Sequence, residues 1–213
     1  MSDCCTPRGY RRIFSEQGAQ AAARRYRKKG LDGTSRRIVD LLLAQGVQGK
    51  TVLEVGGGVG AIQLELLRAG ASRATSIELT PTYEAAAAEL LAEAGMTDRV
   101  DRRVVDFVEA GAEVDKADIV VLNRVVCCYH DMPRLVGTAA AHARGNLVMS
   151  FPKRRWWTQA VIAMSNAGFR LTRREFHVFL HRPDRIRETA EAGGLKVSSD
   201  RPGLFWEILS ATG

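Results

Sequence analysis

The sequence predicts an α/β fold built on a doubly wound, mostly parallel seven-stranded sheet. Short apolar segments with strand character alternate with segments of helical periodicity through the middle of the chain. The links between them are short, which is typical of parallel strands with helices on both faces of the sheet. The 213 residues, of which 46% are hydrophobic, suit one folded domain with a real core.

The N-terminal part is predicted to be helical. Residues 15–30 are rich in Ala and Arg and predict a helix that Gly30 ends. A second helix follows, with Thr34 as its expected N-cap and Gly46 as its stop. We therefore expect residues 1–48 to form a helical cap that packs on a sheet domain formed by residues 49–213.

Strands and helices then alternate. The predicted strands of this part span residues 51–55, 74–79, 100–107, 118–126 and 147–150. The predicted helices between them span residues 61–69, 81–94 and a segment capped by Asp131 that runs to about residue 143. A helix at 183–192 and strands at 195–199 and 204–210 are expected to close the domain.

Residues 153–182 interrupt this alternation. They begin with an amphipathic stretch that contains Trp156 and Trp157, and they end with the extended, aromatic sequence EFHVFLH at 175–181. An insertion at this point of an open α/β sheet lies above the carboxyl ends of the strands, where ligands bind. We expect a lid here, whose aromatic side chains line an apolar cavity.

The sequence VLEVGGGVG, residues 52–60, carries the first functional signal. Glycines at a strand end let the backbone approach a ligand, and the helix that follows offers free N–H donors. The pattern Gly56-x-Gly58-x-x-Ala61 also fits a dinucleotide site, so a dehydrogenase is one alternative. Glu54, however, would sit poorly beside a pyrophosphate and suits a ligand with a positive group.

With its Glu54-x-Gly56-x-Gly58-x-Gly60 pattern, the chain resembles the class I S-adenosylmethionine-dependent methyltransferases, which have a Rossmann-like sheet. The resemblance runs from about residue 51 to residue 150 and implies S-adenosylmethionine as the cofactor. It places Glu54 near the methionine ammonium of that cofactor. The cofactor-binding residues that it implies are Glu54, Gly56, Gly58, Gly60, Glu78, Leu79, Asp106, Phe107, Asn123 and Arg124.

The resemblance also implies separate roles at successive strand ends. Glu78, in the sequence SIELT, would accept hydrogen bonds from the ribose hydroxyls. Asp106 would accept from the adenine amino group, and Phe107 would pack on the ring. Asn123 and Arg124 would lie beside the transferred methyl group.

The methyl acceptor is expected to be a small molecule, in a layout loosely similar to the magnesium-protoporphyrin O-methyltransferases. Such a transfer needs alignment of the nucleophile and, for a hydroxyl or a protonated amine, a general base. The candidates near the strand ends are His130, His177, His181 and Tyr26. If residues 175–181 are extended, His177 and His181 share one face with Phe179.

Two other acceptors stay open as alternatives. A net charge of +7 and an Arg-rich N-terminal helix favour anionic partners, so the chain could methylate RNA. The residues after Asn123 lack the Pro-Pro-aromatic and Pro-Cys signatures of nucleic acid enzymes, which makes this the weaker alternative. The pairs Cys4-Cys5 and Cys127-Cys128 would suit a metalloid such as arsenite if they met over the site. A non-enzymatic scaffold or sensor that binds the cofactor is the remaining alternative.

Location and partners follow from what the sequence lacks. No apolar run reaches the roughly 18–20 residues that span a membrane, and the N-terminus lacks the apolar core of a signal peptide. We expect a cytoplasmic protein with no membrane partner and no metal site. The sequence leaves its oligomeric state open.

Overall fold

The computed structural model describes residues 7–213 and contains one seven-stranded sheet with helices on both faces. The strands are β1 Thr51–Val55, β2 Arg73–Glu78, β3 Val100–Val104, β4 Ala117–Asn123, β5 Ala143–Pro152, β6 Lys196–Pro202 and β7 Trp206–Thr212. The helices are α1 Pro7–Ile13, α2 Glu16–Lys29, α3 Gly33–Ala44, α4 Ala61–Arg68, α5 Glu84–Glu93, α6 Met132–His142, α7 Trp156–Leu171 and α8 Pro183–Ala192.

The strand order in the sheet is β3-β2-β1-β4-β5-β7-β6. Strands β1 to β5 pair in parallel, and β7 runs antiparallel to both β5 and β6. The predicted doubly wound, Rossmann-like fold is therefore confirmed. The order reverses between β1 and β4, and at such a switch point the chain leaves a crevice beyond the carboxyl ends of the strands.

The core is divided by the sheet into two layers, because successive strand residues point to opposite faces. The side chains of Val52 and Ile119 point to the face of the sheet that α3 and α4 cover. They belong there to one cluster with Leu42, which is fully buried. Leu53 and Val120 point to the other face, where they belong to the same cluster as residues of α6 and α8. Strands buried on both faces read as nearly continuous apolar runs, which is why the sequence predicted them well.

The N-terminal helices differ from the prediction in two details. Helix α1 was not predicted, and α3 begins two residues earlier than expected, because its N-cap is Asp32 and not Thr34. The Asp32 carboxylate accepts hydrogen bonds from the backbone N–H groups of Thr34, at 2.9 Å, and Ser35, at 3.2 Å. A carboxylate that satisfies two orphan donors of the first turn is a strong cap.

Helices α2 and α3 pack on different parts of the sheet domain. Ala19 and Ala23 of α2 lie in a cluster with Leu90 and Leu91 of α5. Helix α3 instead buries its apolar face on the sheet itself. The predicted division of the chain at residue 48 stays a prediction, and we note that it separates α3 from the strands on which it packs.

The segment that follows β5 contains α7 and then an extended stretch at 175–181 that is not a strand of the sheet. The backbone N–H of Phe179 donates to the carbonyl of Cys127 at 2.7 Å, which ties this stretch to the turn after β4. Rings of His177, Phe179 and His181 are in successive contact, so they share one side as expected. None of the helices in residues 7–213 is long and apolar enough to cross a membrane.

Candidate functional site

A cavity of about 380 Å³ lies at the carboxyl ends of the central strands, at the switch point between β1 and β4. Its floor is formed by residues at or just after the ends of β1, β2 and β4 and by the loop that follows β3. Helices α1 and α2 cover it. The floor residues include Glu54, Gly56, Gly57, Gly58, Glu78, Leu79, Asp106, Phe107, Asn123 and Arg124. The lining residues from α1, α2 and the link between them are Tyr10, Phe14, Ala22, Arg25 and Tyr26.

The glycine loop between β1 and α4 can hold only glycine at its key positions. Gly56, Gly58 and Gly60 have φ values of +64°, +61° and +76°, in the left-handed region that side chains avoid. A Cβ atom on Gly56 would also lie 2.6 Å from Cγ2 of Val125, and one on Gly58 would lie 3.2 Å from the Tyr83 ring. The loop therefore presents bare backbone to the cavity.

Glu54 lies at the end of β1, is almost fully buried and faces the start of α4. Its Oε2 accepts a hydrogen bond from the backbone N–H of Gln63 at 3.3 Å. Burial raises the pKa of Glu54 to about 7, against the opposing effects of the Gln63 hydrogen bond and the Arg102 charge. A Cβ atom on Gly57 would lie 2.6 Å from the same Oε2, so this third adjacent glycine, which the sequence analysis did not single out, makes room for the carboxylate.

Glu78 supports the same loop from the end of β2. One of its oxygens accepts a hydrogen bond from the Gly58 N–H at 2.5 Å. Burial raises the pKa of Glu78 to about 8, although that hydrogen bond and the Arg102 guanidinium oppose the shift. Arg102, on β3, donates to the Gly58 carbonyl at 3.1 Å and pairs with Glu84 at 2.7 Å. Sequence reasoning missed Arg102, because a charged residue in a strand resembles any exposed strand residue.

Asp106 follows β3, and its carboxylate already has two protein donors. Oδ1 accepts from the backbone N–H of Val108 at 2.9 Å, which makes the turn that ends β3 earlier than predicted. The Tyr129 hydroxyl donates to the carboxylate at 3.2 Å from each oxygen. Burial, and then the charge of Asp106, raise the pKa of Tyr129 above its usual range. Phe107 is buried beside the Asp106 turn and packs edge-on against His142.

Asn123 ends β4 and Arg124 directly follows it, and both residues connect the sheet to the N-terminus of α3. The Asn123 amide accepts from the Ser150 hydroxyl at 2.7 Å and donates to the Ser35 hydroxyl at 3.1 Å. Arg124 has a φ of +64° and pairs with Asp32 at 2.7 Å. A non-glycine residue in this conformation is strained, and such strain concentrates at functional sites. Although burial raises the pKa of Asp32, its hydrogen bonds to Ser35 and Thr34 and the Arg124 charge hold that pKa below its usual range.

The three candidate histidines lie outside the cavity lining, so the geometry does not support them as general bases. His130 stacks on Tyr129. His177 is hydrogen bonded to the Asn166 amide at 3.2 Å, and Nε2 of His181 to the carbonyl of Tyr129 at 3.0 Å. Burial lowers the pKa of both His177 and His181. Their catalytic role stays a prediction.

Tyr26 does line the cavity, but its hydroxyl is held by α4. It donates to Glu65 at 2.5 Å and accepts from Arg68 at 2.8 Å. Burial, followed by the hydrogen bond to Glu65, raises the pKa of Tyr26 above its usual range. A phenol with a raised pKa keeps its proton at neutral pH and so cannot accept one from a substrate. The role of Tyr26 as a general base therefore also stays a prediction.

The expectation that the inserted segment lines the cavity is wrong for the described residues, because nothing from 153–182 is in the lining. Trp156 points to solvent and Trp157 packs on Phe205. The cover is formed instead by Tyr10 and Phe14, and Phe176 of the inserted segment packs behind both rings. The Tyr10 hydroxyl donates to the carbonyl of Cys128, which links α1 to the turn after β4.

Comparison with known proteins gives one family and one fold. The family described as a methyltransferase domain matches residues 23–200. The magnesium protoporphyrin IX methyltransferase from Synechocystis PCC 6803, solved with bound SAH, is 19% identical and superposes with a TM-score of 0.70. The alignment covers 96% of this chain and 92% of that one.

A second solved structure, an O-methyltransferase family protein from Burkholderia thailandensis, is 22% identical with a TM-score of 0.67. This alignment covers 94% of the present chain and 63% of the other. At such identities the likeness establishes the fold. No curated protein matches the chain by sequence.

Proposed function

The chain belongs to the methyltransferase-domain family, whose cofactor is S-adenosylmethionine, and from this membership we propose that it methylates a small-molecule acceptor bound beneath α1 and α2. Membership decides against the dehydrogenase alternative. The observation that carries the proposal is the cover of the cavity: two aromatic rings, Tyr10 and Phe14, close it from above and leave a small, largely apolar space.

The residues of the cavity fit the proposed cofactor. Bare backbone at Gly56 and Gly58 lets a ligand approach the N-terminus of α4, whose first-turn N–H groups have no carbonyl partner within the helix. We assign the ribose hydroxyls to Glu78 and the adenine amino group to Asp106, since both are hydrogen-bond acceptors at neighbouring strand ends. Leu79 and Phe107 supply the apolar walls on either side of such a base.

We assign the methionine end of the cofactor to the region of Glu54, Gly56, Gly60, Asn123 and Arg124. A buried carboxylate close to the ammonium would ionise more readily, because the positive charge compensates for the water that the carboxylate has lost. Asn123 and Arg124 are held rigidly by Ser150 and Asp32, so they can fix the position of the reacting group.

The chemistry asks little of the protein beyond alignment. S-adenosylmethionine supplies a methyl group on a cationic sulfonium that is already activated for displacement. The side chains around the cavity exclude water and hold the acceptor in line with that group, which contributes most of the acceleration in reactions of this kind. No histidine of the described chain lines the cavity, which favours acceptors that need no strong base.

An RNA acceptor is the second candidate, because of the basic α2. Part of that basic charge is neutralised within the protein: Arg27 pairs with Glu93 at 2.7 Å and with Glu89 at 3.3 Å. RNA binding through the remaining basic residues would weaken steeply with salt. Retention on RNA at moderate salt would favour this candidate over the small molecule.

The metalloid alternative rests on residues that the structure covers only in part. Cys4 and Cys5 lie outside the described residues. Sγ of Cys127 is 3.7 Å from Sγ of Cys128, and both thiols donate to the carbonyl of Arg124 at 3.6 Å. No cluster of metal-ligating side chains occurs within residues 7–213. The metalloid alternative would be revived if the wild type methylated arsenite and replacing Cys127 and Cys128 by Ser abolished that activity.

The test is a transfer assay with S-adenosylmethionine labelled in its methyl group and an extract separated into small molecules, RNA and protein. We expect the wild type to label the small-molecule fraction, and Glu78→Ala, which loses the ribose acceptor, to label none. Label that ribonuclease releases from the RNA fraction would replace the proposal with the RNA alternative. Cofactor binding without label in any fraction would identify a scaffold or sensor.

A further inference from the structure

Helix α7 carries an apolar face that points away from the protein. Trp156, Met164 and Leu171 are 81%, 72% and 87% exposed, values that large apolar side chains rarely reach. They fall on one side of the helix, together with Ala160 and Ala167, because positions 0, 4, 8, 11 and 15 along a helix share a face. The outward side of this helix therefore shows almost no polar side chain to water.

Polar contacts on the inward side of α7 fix the rotation of the helix about its axis. They therefore also determine which side chains are exposed. Asn166 is buried, and its amide donates to the carbonyl and accepts from the N–H of Val178, both at 2.9 Å. Thr158 and Ile162 are also buried on this side. A helix with a buried Asn and an exposed Trp has the reverse of the usual amphipathic arrangement.

Basic residues flank the apolar face of α7 at both ends of the helix. Lys153, Arg154 and Arg155 precede α7, and Arg170, Arg173 and Arg174 close it, while residues 153–174 contain no Asp or Glu. Within the described residues, none of these six side chains is in an ion pair. Leu204, 83% exposed beside Phe205, adds to the apolar area, because Phe205 packs on Trp157.

We propose that this face of α7 docks the protein on an anionic lipid surface. Trp, Met and Leu side chains suit the boundary between headgroups and acyl chains, and Lys and Arg at both ends suit lipid phosphates. The helix has 16 residues, too few to span the bilayer, so it would lie in the plane of the interface. The sequence-based expectation of no membrane partner considered only spanning segments.

A second copy of the chain fits the same face less well. Any pairing of α7 with another α7 brings the two sets of basic residues together, and the stretch holds no acidic residue to compensate. Like charges placed together across an interface disfavour that partner. An anionic surface instead turns the same charges into an attraction.

The docking face connects physically to the cover of the cavity. Phe169 of α7 packs against Phe176, whose ring contacts Tyr10 and Phe14 at centroid distances of 5.4 and 5.6 Å. A movement of α7 on a lipid surface would therefore shift the ring of Phe176 and, through it, the rings of Tyr10 and Phe14 that close the cavity. The proposal itself depends only on the surface of α7 and not on the reaction.

The test is co-sedimentation of the full chain with vesicles of equal parts phosphatidylglycerol and phosphatidylcholine, and with vesicles of phosphatidylcholine alone. We expect binding to the anionic vesicles that weakens with salt, since the attraction is screened. The triple variant Trp156→Ser, Met164→Ser, Leu171→Ser should bind about tenfold more weakly. The double variant Arg154→Gln, Arg155→Gln should lose about the same factor.

Two controls separate docking from general charge and from misfolding. Lys28→Gln with Lys29→Gln removes the same charge from the exposed end of α2 and should leave vesicle binding within about twofold. Calorimetric binding of S-adenosylhomocysteine should be unchanged in the triple variant, which shows that it folds. Wild type that stays in solution, or equal binding by the triple variant, would overturn the proposal. So would a dimer in sedimentation analysis that the triple variant abolishes, because α7 would then be a dimer interface.

Discussion

The hydroxyl of Tyr129 lies 3.2 Å from both carboxylate oxygens of Asp106 and donates to this acid. The contact joins the turn after β4 to the turn after β3 at the carboxyl ends of the strands. It occupies the carboxylate to which we assign the adenine amino group. A carboxylate offers about four acceptor positions, so one more donor can be accommodated.

Asp106 should therefore matter more for cofactor binding than Tyr129. Asp106→Ala should weaken the binding of S-adenosylhomocysteine at least tenfold, since a hydrogen bond to a charged group contributes about 1.5–3 kcal/mol. Tyr129→Phe should leave the affinity within about threefold and lower the free energy of unfolding by about 1 kcal/mol. Titration calorimetry and urea denaturation measure the two effects. An equal loss of affinity in both variants would show that the tyrosine itself contacts the ligand.

Cofactor affinity should depend on pH through Glu54. Burial raises the pKa of Glu54 to about 7, so the carboxylate becomes neutral as the pH falls through that value and no longer attracts an ammonium group. Between about pH 8 and about pH 6 the affinity should fall roughly tenfold. Glu54→Gln should lose this dependence and keep only the titration of Glu78 and of the ligand, which both proteins share. Identical pH profiles would remove Glu54 from the proposed site.

The ligand-free protein should lose stability as the pH rises from about 7 to about 9. Burial raises the pKa of Glu54 to about 7 and of Glu78 to about 8, so the folded protein holds more protons than the unfolded chain in this window. Stability then falls with rising pH, by on the order of 1–2 kcal/mol. Burial lowers the pKa of His177 and of His181, so these side chains affect the free energy of unfolding only below this pH range. Denaturant titrations of wild type and Glu78→Gln measure the slope, and a steeper slope in the variant would contradict the prediction.

Gly58→Ala should reduce both stability and cofactor affinity. Its φ of +61° costs a side chain about 1–2 kcal/mol, and the new Cβ would press on Tyr83 at the wall of the cavity. Gly95 provides a matched control, because its φ is +65° and a Cβ there would meet no atom within 4 Å. Gly95→Ala should cost similar stability and leave affinity unchanged. Thermal denaturation and calorimetry compare the two, and similar affinities would mean that the loop is not at the ligand.

Replacing His130, His177 or His181 singly by Gln should leave methyl transfer within about threefold of wild type, a fraction of the 10²–10⁴-fold that a general base contributes. The reason is geometric, since none of the three lines the cavity. The labelled-methyl assay measures the rate with the active extract fraction. A loss of a hundredfold or more in one variant, with cofactor binding retained, would make that histidine the base.

The fold and the floor of the site were accessible from sequence because both follow from strand ends. Buried parallel strands appear in the sequence as nearly continuous apolar runs. Polar residues that directly follow such strands lie together at the carboxyl edge of the sheet, because parallel strands all end at that edge. Glu54, Glu78, Asp106 and Asn123 were found in this way, and all four line the cavity. Their roles toward the cofactor stay predictions.

The cover of the cavity was not accessible in the same way. Tyr10 belongs to a short helix that carries no clear periodic signal, and Phe14 directly follows this helix. Tyr129 lies in a turn whose path depends on tertiary contacts. The pattern of α7 did indicate an amphipathic helix, but periodicity cannot tell which side faces the protein. Here the bidentate contact between Asn166 and Val178 decides it.

The central claim is that the cavity at the ends of β1 and β2 holds the nucleoside of the cofactor. A crystal structure of the protein with S-adenosylhomocysteine tests this most directly. We predict ribose hydroxyls within hydrogen-bond distance of the Glu78 carboxylate and the adenine beside Asp106 and Phe107. A nucleoside bound elsewhere, or a ribose out of reach of Glu78, would contradict the account.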